Sequence, residues 1–386
     1  MLVNADLHIH SPFAMGTSRF MDLPRLGLAC ARKGLQVLGS GDALHPEWRA
    51  RCRREGESIE GVLIVPTTEV EDTHRIHHLI LLEDFCAAET LADAFRPWSD
   101  NILHAGRPRL SLTGEDIARE VHAQGGLIGP AHAFTPWTSL YARFDRLREC
   151  YGEEKIDFLE LGLSADSSYA AGIPDLKGVP FLSNSDAHSA DPVKVGREWN
   201  SLQVTRLTIR TVLESITRND VIFNAGFFPE AGKYNRTACS RCYRQYPLDE
   251  ARSLAWRCPH DRGRIKKGVC DRARELSTAP PSPRPPYYHR IPLGEIVQDV
   301  LGSSSPHTKK CQALYESLVT GLGDEIGILM NAPLSEIGAI NEEVAYSIHA
   351  LREGEVTIFP GGGGRYGTFS LKSKHYGMSS TTDHNA

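Results

Sequence analysis

Residues 4–13 read NADLHIHSPF, and two of them decide how the rest of the chain is read. Side chains alternate across a strand, so His8 and His10 face one side while Leu7 and Ile9 face the other. Two imidazoles leaving one strand end in the same direction suit a metal ion. A chance polar pair would have no partners elsewhere, so the question is what other segments deliver.

Working outward, short apolar runs at 2–9, 37–39, 62–66, 77–82, 126–128, 158–161, 181–183 and 221–224 alternate with amphipathic stretches. Examples of the latter are DLPRLGLACARKG (22–34), TGEDIAREVHAQG (113–125) and TIRTVLESITRN (208–219). An Asp or Thr opens each and a Gly closes two, as helix caps do. Seven or eight strand–helix units predict an α/β fold with a parallel sheet, closed as a TIM-like barrel. Sites in such barrels lie at the C-terminal strand ends. There GSGD supplies Asp42, with His45 just beyond, and PTTEVE supplies Glu69. The fourth run opens with His77 and His78, GLIGPAH delivers His132, and FLSNSDAH delivers Asp186 and His188.

Imidazole and carboxylate donors suit Zn²⁺, Mn²⁺ or Fe²⁺ and also admit Mg²⁺. The set exceeds the need of one ion and points to two or three divalent metals with bridging carboxylates. Such a cluster activates water and clamps phosphoryl oxygens. The chain has no nucleophile elbow and no GxxxxGK[ST] loop, so metal-assisted hydrolysis of a phosphate ester is the leading class. A small-molecule phosphomonoesterase of the histidinol-phosphatase type is the rival within that chemistry. A non-catalytic DNA-damage-binding protein is the rival outside it.

Of 386 residues, 41% are hydrophobic and 24% charged, ordinary for a soluble domain, and no apolar run is long enough to span a membrane. A cytoplasmic protein without a membrane partner is expected. The net charge of −5 conceals an asymmetry: residues 233–277 hold twelve Lys/Arg against five Asp/Glu. Three of the nine cysteines fall there, in CSRC (239–242) and CPHD (258–261). This is a CxxC…CxxC skeleton with Asp261 in the fourth place, so Cys239, Cys242, Cys258 and Asp261 are candidate ligands of one structural zinc. His260 and Cys270 are alternative fourth ligands. Arg241, Arg244, Lys266 and Lys267 suit phosphates, and aromatics nearby suit unpaired bases. Phe134, Trp137 and Tyr141 follow His132 directly, placing aromatic surface beside the metal site. Gly362 and Gly363 in PGGGG (360–364) would let backbone amides approach a nucleotide.

The organisation expected is a metal-dependent barrel over 1–228, a basic zinc module over 229–277 and a Pro-rich linker over 278–292. A helical module with its Gly-rich loop follows over 293–369, then a disordered tail over 370–386.

DLHIHS, GSGD, TTEVE, HHLILL, GPAH and NSDAH resemble, in order, the motifs of the polymerase and histidinol phosphatase (PHP) metal-dependent phosphoesterases. GSGDALHPEW, HAFTPWTSLY, KYNRTACSRC and RPPYYHRIPLGEIV narrow the resemblance to the endonuclease Q family of DNA repair nucleases. The resemblance implies a distorted seven-stranded (β/α) barrel carrying a zinc-binding module and a helical C-terminal module. It implies cleavage of DNA 5′ to uracil, hypoxanthine, xanthine or an abasic site, leaving 3′-hydroxyl and 5′-phosphate ends. Motif by motif, the metal ligands would be His8, His10, Asp42 (where many relatives have His), Glu69, His78, His132, Asp186 and His188. His78 is preferred to His77 because it directly precedes LILL, and His45 is assigned to helix capping or support. Asp186, His188 and Glu69 would form the catalytic core. Replication or repair proteins would be natural partners, though no motif identifies one.

Overall fold

The computed structural model describes residues 1–371. The expected tail begins at 370, but Ser370 ends a strand and Leu371 is buried, while 372–386 lie outside the described residues. The α/β part runs β1 (Leu2–Asp6), β2 (Val37–Gly39), β3 (Ser58–Ile59), β4 (Val62–Val65), β5 (Thr67–Glu71), β6 (His77–Leu81) and β7 (Leu127–Pro130). It continues through β8 (Leu159–Glu160), β9 (Phe181–Leu182), β10 (Trp199–Gln203) and β11 (Val221–Gly226). A ribbon of β12 (Ala238–Cys239) and β13 (Ile265–Lys266) follows, then β14 (Tyr287–His289), β15 (Thr357–Phe359) and β16 (Thr368–Ser370).

The sheets are mixed, not parallel throughout. The largest has the order β14-β11-β10-β1-β2-β4-β3. β1, β2 and β4 run parallel, but β10 lies antiparallel to both β1 and β11. β5, β6 and β7 form an antiparallel sheet, and β8 and β9 a parallel pair. The β5–β6 link spans only 72–76, too short for a crossover, so a hairpin is the available geometry. Asp72 fixes that turn by accepting from the backbone N–H groups of His74 (2.8 Å) and Ile76 (2.7 Å). The end of the Pro-rich stretch is no free linker. β14 adds parallel to β11, and Arg284 donates to the carbonyl oxygens of Val179 and Leu176 while stacking over Phe181.

One core cluster draws on all three sheets, including Leu7, Val37, Val65, Leu79, Phe158, Leu182 and Leu202. Helix Leu23–Lys33 covers an outer face of the sheet. Asp22 caps its start by accepting from Arg25 N–H, and Gly34 ends it at φ +92°, where it also passes so close to Asp324 that a Cβ would collide. Helices Leu293–Val300, Lys309–Leu322, Glu325–Met330, Leu334–Ile340 and Glu342–Glu353 enclose a separate core that includes Leu318, Leu329 and Ile348. No helix among the described residues is long and apolar enough to cross a membrane.

The helical part is pinned to the α/β part by a buried ion pair. Lys33 Nζ lies 2.7 Å from Glu325 Oε1, both side chains 1% exposed. Glu325 also accepts from Leu293 N–H and from the Tyr315 hydroxyl, each at 2.9 Å. Removing one partner leaves the other charge buried and uncompensated. Lys33→Ala is expected to cost roughly 3–5 kcal/mol in denaturant unfolding, and Lys33→Met with Glu325→Gln, which removes both charges but keeps an acceptor for Leu293 N–H and the Tyr315 hydroxyl, to recover part of the loss.

Candidate metal centre

The chain after β1 continues extended through Ile9, which bridges in parallel to Ala187, while His10 N–H donates to the Ala187 carbonyl oxygen at 2.9 Å. His8 and His10 therefore project side by side, their rings 5.2 Å apart. The loop carrying Asp186 and His188 is fastened beside them, and the His10 and His188 rings are 4.5 Å apart.

Glu69 on β5 is the hub, fully enclosed. Its Oε2 lies 3.4 Å from His10 Nε2 and 4.0 Å from His8 Nε2. Its Oε1 lies 2.8 Å from His77 Nδ1 and 3.0 Å from His132 Nε2. Asp186 Oδ1 approaches His10 Nε2 at 3.2 Å and His8 Nε2 at 3.8 Å from the other side. The donors form three overlapping triplets, each with ligand atoms within 4.8 Å of one another: His8–His10–Glu69, His10–Asp186–His188 and Glu69–His77–His132. His8 Nε2 and His10 Nε2 are buried without a hydrogen-bond partner, although buried polar atoms ordinarily find one. Unpartnered nitrogens aimed at carboxylates fit a set of divalent-metal ligands.

Two expected ligands stand elsewhere. In the β5–β6 register Glu71 pairs with His77 and Val70 with His78. Glu69 and Glu71 share a face, so His77 joins them, whereas His78 turns to the other side and meets the Tyr151 hydroxyl at 2.8 Å. The preference for His78 over His77 is thus corrected by strand register. Asp42 stands behind His10, not beside the other donors. Its Oδ1 accepts from His10 Nδ1 at 3.1 Å, and its Oδ2 takes both the N–H and the hydroxyl of Ser11. It orients the imidazole, as carboxylates behind metal-binding histidines do. His45 caps helix Pro46–Glu55 through Trp48 N–H and stacks on Phe13.

Two participants escape the sequence reading. Glu160 in β8 grips His8 Nδ1 at 2.9 and 3.0 Å and also accepts from Asn184 Nδ2 and His132 N–H, both at 2.8 Å. A lone carboxylate inside an apolar strand, LEL, was the available signal. Arg107 Nη1 contacts Glu69 Oε2 at 2.8 Å. It sits in a loop whose sequence gives no strand or helix pattern to place it.

Asp42, His132 and Asp186 hold positive φ (+48°, +33° and +49°), unusual for residues with a Cβ. Three such residues at one site mark backbone held by its surroundings for a purpose other than local comfort. The electrostatics agree. Burial opposes charge on His8, yet Glu160, Asp186 and Glu69 raise it to about 9. Burial would push Glu69 up, but His77, Arg107 and His132 hold it well below the usual carboxylate range. Asp186 is likewise lowered, against burial, by His10, His8 and His132.

The four candidate zinc ligands also meet. Cys239, Cys242, Cys258 and Asp261 place ligand atoms within 4.8 Å of one another, with Cys242 Sγ 3.7 Å from Cys258 Sγ. Neither His260 nor Cys270 belongs to that group. Of the nucleic-acid candidates, Trp137 is 43% exposed and carries the Lys266 ammonium over its ring at 4.5 Å. Arg244 is exposed, and with Gly362 it lines a cleft of about 310 Å³. Lys267 pairs with Glu275 at 2.7 Å, and Arg241 reaches the Asp261 carbonyl oxygen at 3.2 Å. Phe134 and Tyr141 are buried against each other, so only Trp137 of that trio offers a surface. Gly362 and Gly363 serve packing. Gly363, at φ +66°, lies against the Cys239 carbonyl, where any Cβ would collide, and Gly362 against Arg236 and Ala238. They fasten the Gly-rich loop to the cysteine module.

A basin of imidazoles and carboxylates with unpartnered nitrogens defines a centre suited to divalent metal ions. The family described as the MJ0043 C-terminal domain matches residues 292–355. The uncharacterised protein MJ0043 of Methanocaldococcus jannaschii is 43% identical over 270 residues, 68% of this chain and 34% of that protein, so the chain spans about a third of that relative. The lesion-specific endonuclease PfuEndoQ from Pyrococcus furiosus superposes with TM-score 0.92 and 42% identity, covering 97% of this chain and 98% of that one. An endonuclease Q in complex with a 27-mer duplex carrying an abasic lesion at its active site gives TM-score 0.92 and 41% identity, covering 97% and 99%. The chain belongs to the endonuclease Q family.

A raised imidazole pKa has a consequence for the metal-free protein. His8 at about 9, against an ordinary 6.5, contributes stability that is complete below 6.5 and is lost as pH rises through 9. Chelator-treated protein is expected to melt at progressively lower temperature from pH 6.5 to 9, and Glu160→Gln to flatten that slope. Thermal unfolding across the range checks both.

Proposed function

We propose that this chain is a metal-dependent endonuclease that hydrolyses the DNA phosphodiester 5′ to a damaged nucleotide, leaving 3′-hydroxyl and 5′-phosphate ends. The observation that carries the reading is the basin around Glu69, where three overlapping donor triplets lie, in a chain that matches an endonuclease Q over 97% of its length. Deaminated bases (uracil, hypoxanthine, xanthine) and abasic sites are the proposed substrates. The DNA-bound relative carries an abasic lesion at its active site.

The proposed ligands are His8, His10, Glu69, His77, His132, Asp186 and His188, holding two or three divalent ions among Zn, Mn, Fe and Mg. Bound there, the ions would supply a water nucleophile and charge stabilisation. Asp42 and Glu160 hold the His10 and His8 rings in place through their Nδ1 atoms. Arg107, which keeps Glu69 ionised, presents its partly exposed guanidinium to the same basin and suits a phosphate oxygen. Glu69 and Asp186 remain charged across the physiological range, ready to share cations.

The three sheets are read as one distorted barrel. Support comes from hydrogen bonds between them: Leu82 N–H to the Pro66 carbonyl, Asp157 N–H to that of Ile128, and Asn224 Nδ2 to that of Phe181. Residues 229–277 are read as a module built on one structural zinc held by Cys239, Cys242, Cys258 and Asp261. The Trp137–Tyr234 pair, with Lys233 and Lys266 against it, is the proposed surface for an unstacked base. Arg244 is proposed to meet the phosphate backbone. Nine cysteines, none of them in a disulfide, suit a reducing compartment such as the cytoplasm.

Labelled duplexes carrying one uracil, hypoxanthine or abasic position, incubated with Mg²⁺, Mn²⁺ or Zn²⁺, are expected to be cut on the 5′ side of the lesion. Intact lesion-bearing strands with every metal would sink the proposal. Asp186→Ala is expected to lower the cleavage rate by about 10²-fold or more, with DNA affinity in a gel-shift assay nearly unchanged. Asp261→Cys, which restores a fourth thiolate, is expected to slow zinc release to a chelating dye.

A further inference from the structure

Behind β6, on the side away from Glu69, lies a second group of donors that the metal centre does not use. Asp72, His78 and Cys150 place ligand atoms within 4.8 Å of one another, and all three residues are buried. His78 Nε2 faces Asp72 Oδ2 at 3.4 Å, both side chains fully enclosed. Neither atom has a hydrogen-bond partner. The remaining valences are already committed. Asp72 Oδ1 takes the two N–H groups of the hairpin turn, and His78 Nδ1 meets the Tyr151 hydroxyl. What is left is one imidazole nitrogen, one carboxylate oxygen and one thiol sulfur aimed at a common point. Gly114 borders that point: a Cβ there would lie 2.7 Å from Cys150 Sγ and 3.1 Å from His78 Cε1.

We infer that Asp72, His78 and Cys150 form a buried structural zinc site, separate from both the Glu69 centre and the cysteine module. Sulfur, nitrogen and oxygen donors in one small set suit Zn²⁺ above harder cations, and a water would complete tetrahedral coordination. On binding, the Cys150 thiol gives its proton to solvent and its sulfur bonds the ion as thiolate. The Tyr151 hydroxyl on Nδ1 fixes the imidazole orientation, the role such outer partners play. Because His77 and His78 are neighbours on opposite faces of β6, an ion here would clamp the β5–β6 hairpin to helix Leu147–Tyr151. It would thereby steady the strand pair that carries Glu69 and His77.

The test uses the full chain purified from zinc-supplemented medium. Crystals of the wild-type protein measured above and below the zinc edge are expected to show an anomalous peak about 2.0–2.3 Å from Asp72 Oδ2, His78 Nε2 and Cys150 Sγ. No peak there, with peaks present at the cysteine module, would reduce the group to an Asp72–His78 contact and overturn the inference. In solution, Cys150→Ser is expected to contain one zinc fewer per chain than wild type by mass spectrometry of the metal. A folded Cys150→Ser variant with the wild-type zinc content would overturn it equally.

Discussion

Glu69 is a carboxylate with no access to water, and an isolated buried charge is far too costly to keep. Its surroundings are the answer to that cost. His77, His132 and Arg107 lie against it, and His8 and His10 face it with Asp186 beyond. They arrive from five segments: the end of β1, the hairpin strand β6, the loop that carries Arg107, the loop after β7, and the loop fastened by Ala187. The strand order and the hydrogen bonds that link the sheets serve to bring those segments to one carboxylate. In the metal-free protein, protonated imidazoles supply the compensating charge, which is why His8 and His10 bind protons so firmly. Divalent ions would replace those protons, so the same charge balance keeps the pocket shaped and prepares it for metal.

Much of this was legible in the chain. The eight apolar runs contain strands, the three quoted amphipathic stretches are helices, and Asp22, Thr113 and Thr208 cap them as their types suggest. The convergence of His8, His10, Glu69, His132, Asp186 and His188 followed from one pattern, polar residues at apolar strand ends. What failed was information that a single segment does not contain. Whether His77 or His78 faces the site depends on the partner strand and its register, and adjacent residues in a strand are locally equivalent. The role of Asp42 turned on which nitrogen of His10 it meets. Glu160 ends β8, but it was hidden because it supports a ligand from behind, accepting from His8 Nδ1, and apolar residues flank it on both sides.

For the Pro-rich stretch and the glycines the missing information was of another kind: composition does not say what the chain lies against. Residues 278–292 are extended, as proline demands, but the extension is used to lay the chain along the α/β body and end in a sheet strand. PGGGG is rich in glycine because neighbouring backbones, those of Gly232, Arg236 and Cys239, occupy the space where side chains at Gly361, Gly362 and Gly363 would stand. In both places a sequence feature that commonly signals mobility records close packing instead.

These attachments bear on how a nuclease of this build would find one damaged nucleotide among many. The Gly-rich loop is fastened to the cysteine module, the linker to the α/β body, and the helical part through Lys33 and Glu325. Arg272 on the helix after β13 reaches back to the carbonyl oxygens of Tyr141 and Phe144, just past the Trp137 loop. The surface around Trp137 and Lys266 is thus held in fixed relation to the metal centre by contacts on several sides. If that surface receives the base as proposed, it would lose little conformational freedom on binding, and discrimination would rest on whether the nucleotide can leave its stack to reach it. Lesions that weaken pairing or stacking would meet that requirement at least cost, so under the proposed function a fixed protein surface, set against deformable DNA, would be the physical basis for selecting damage.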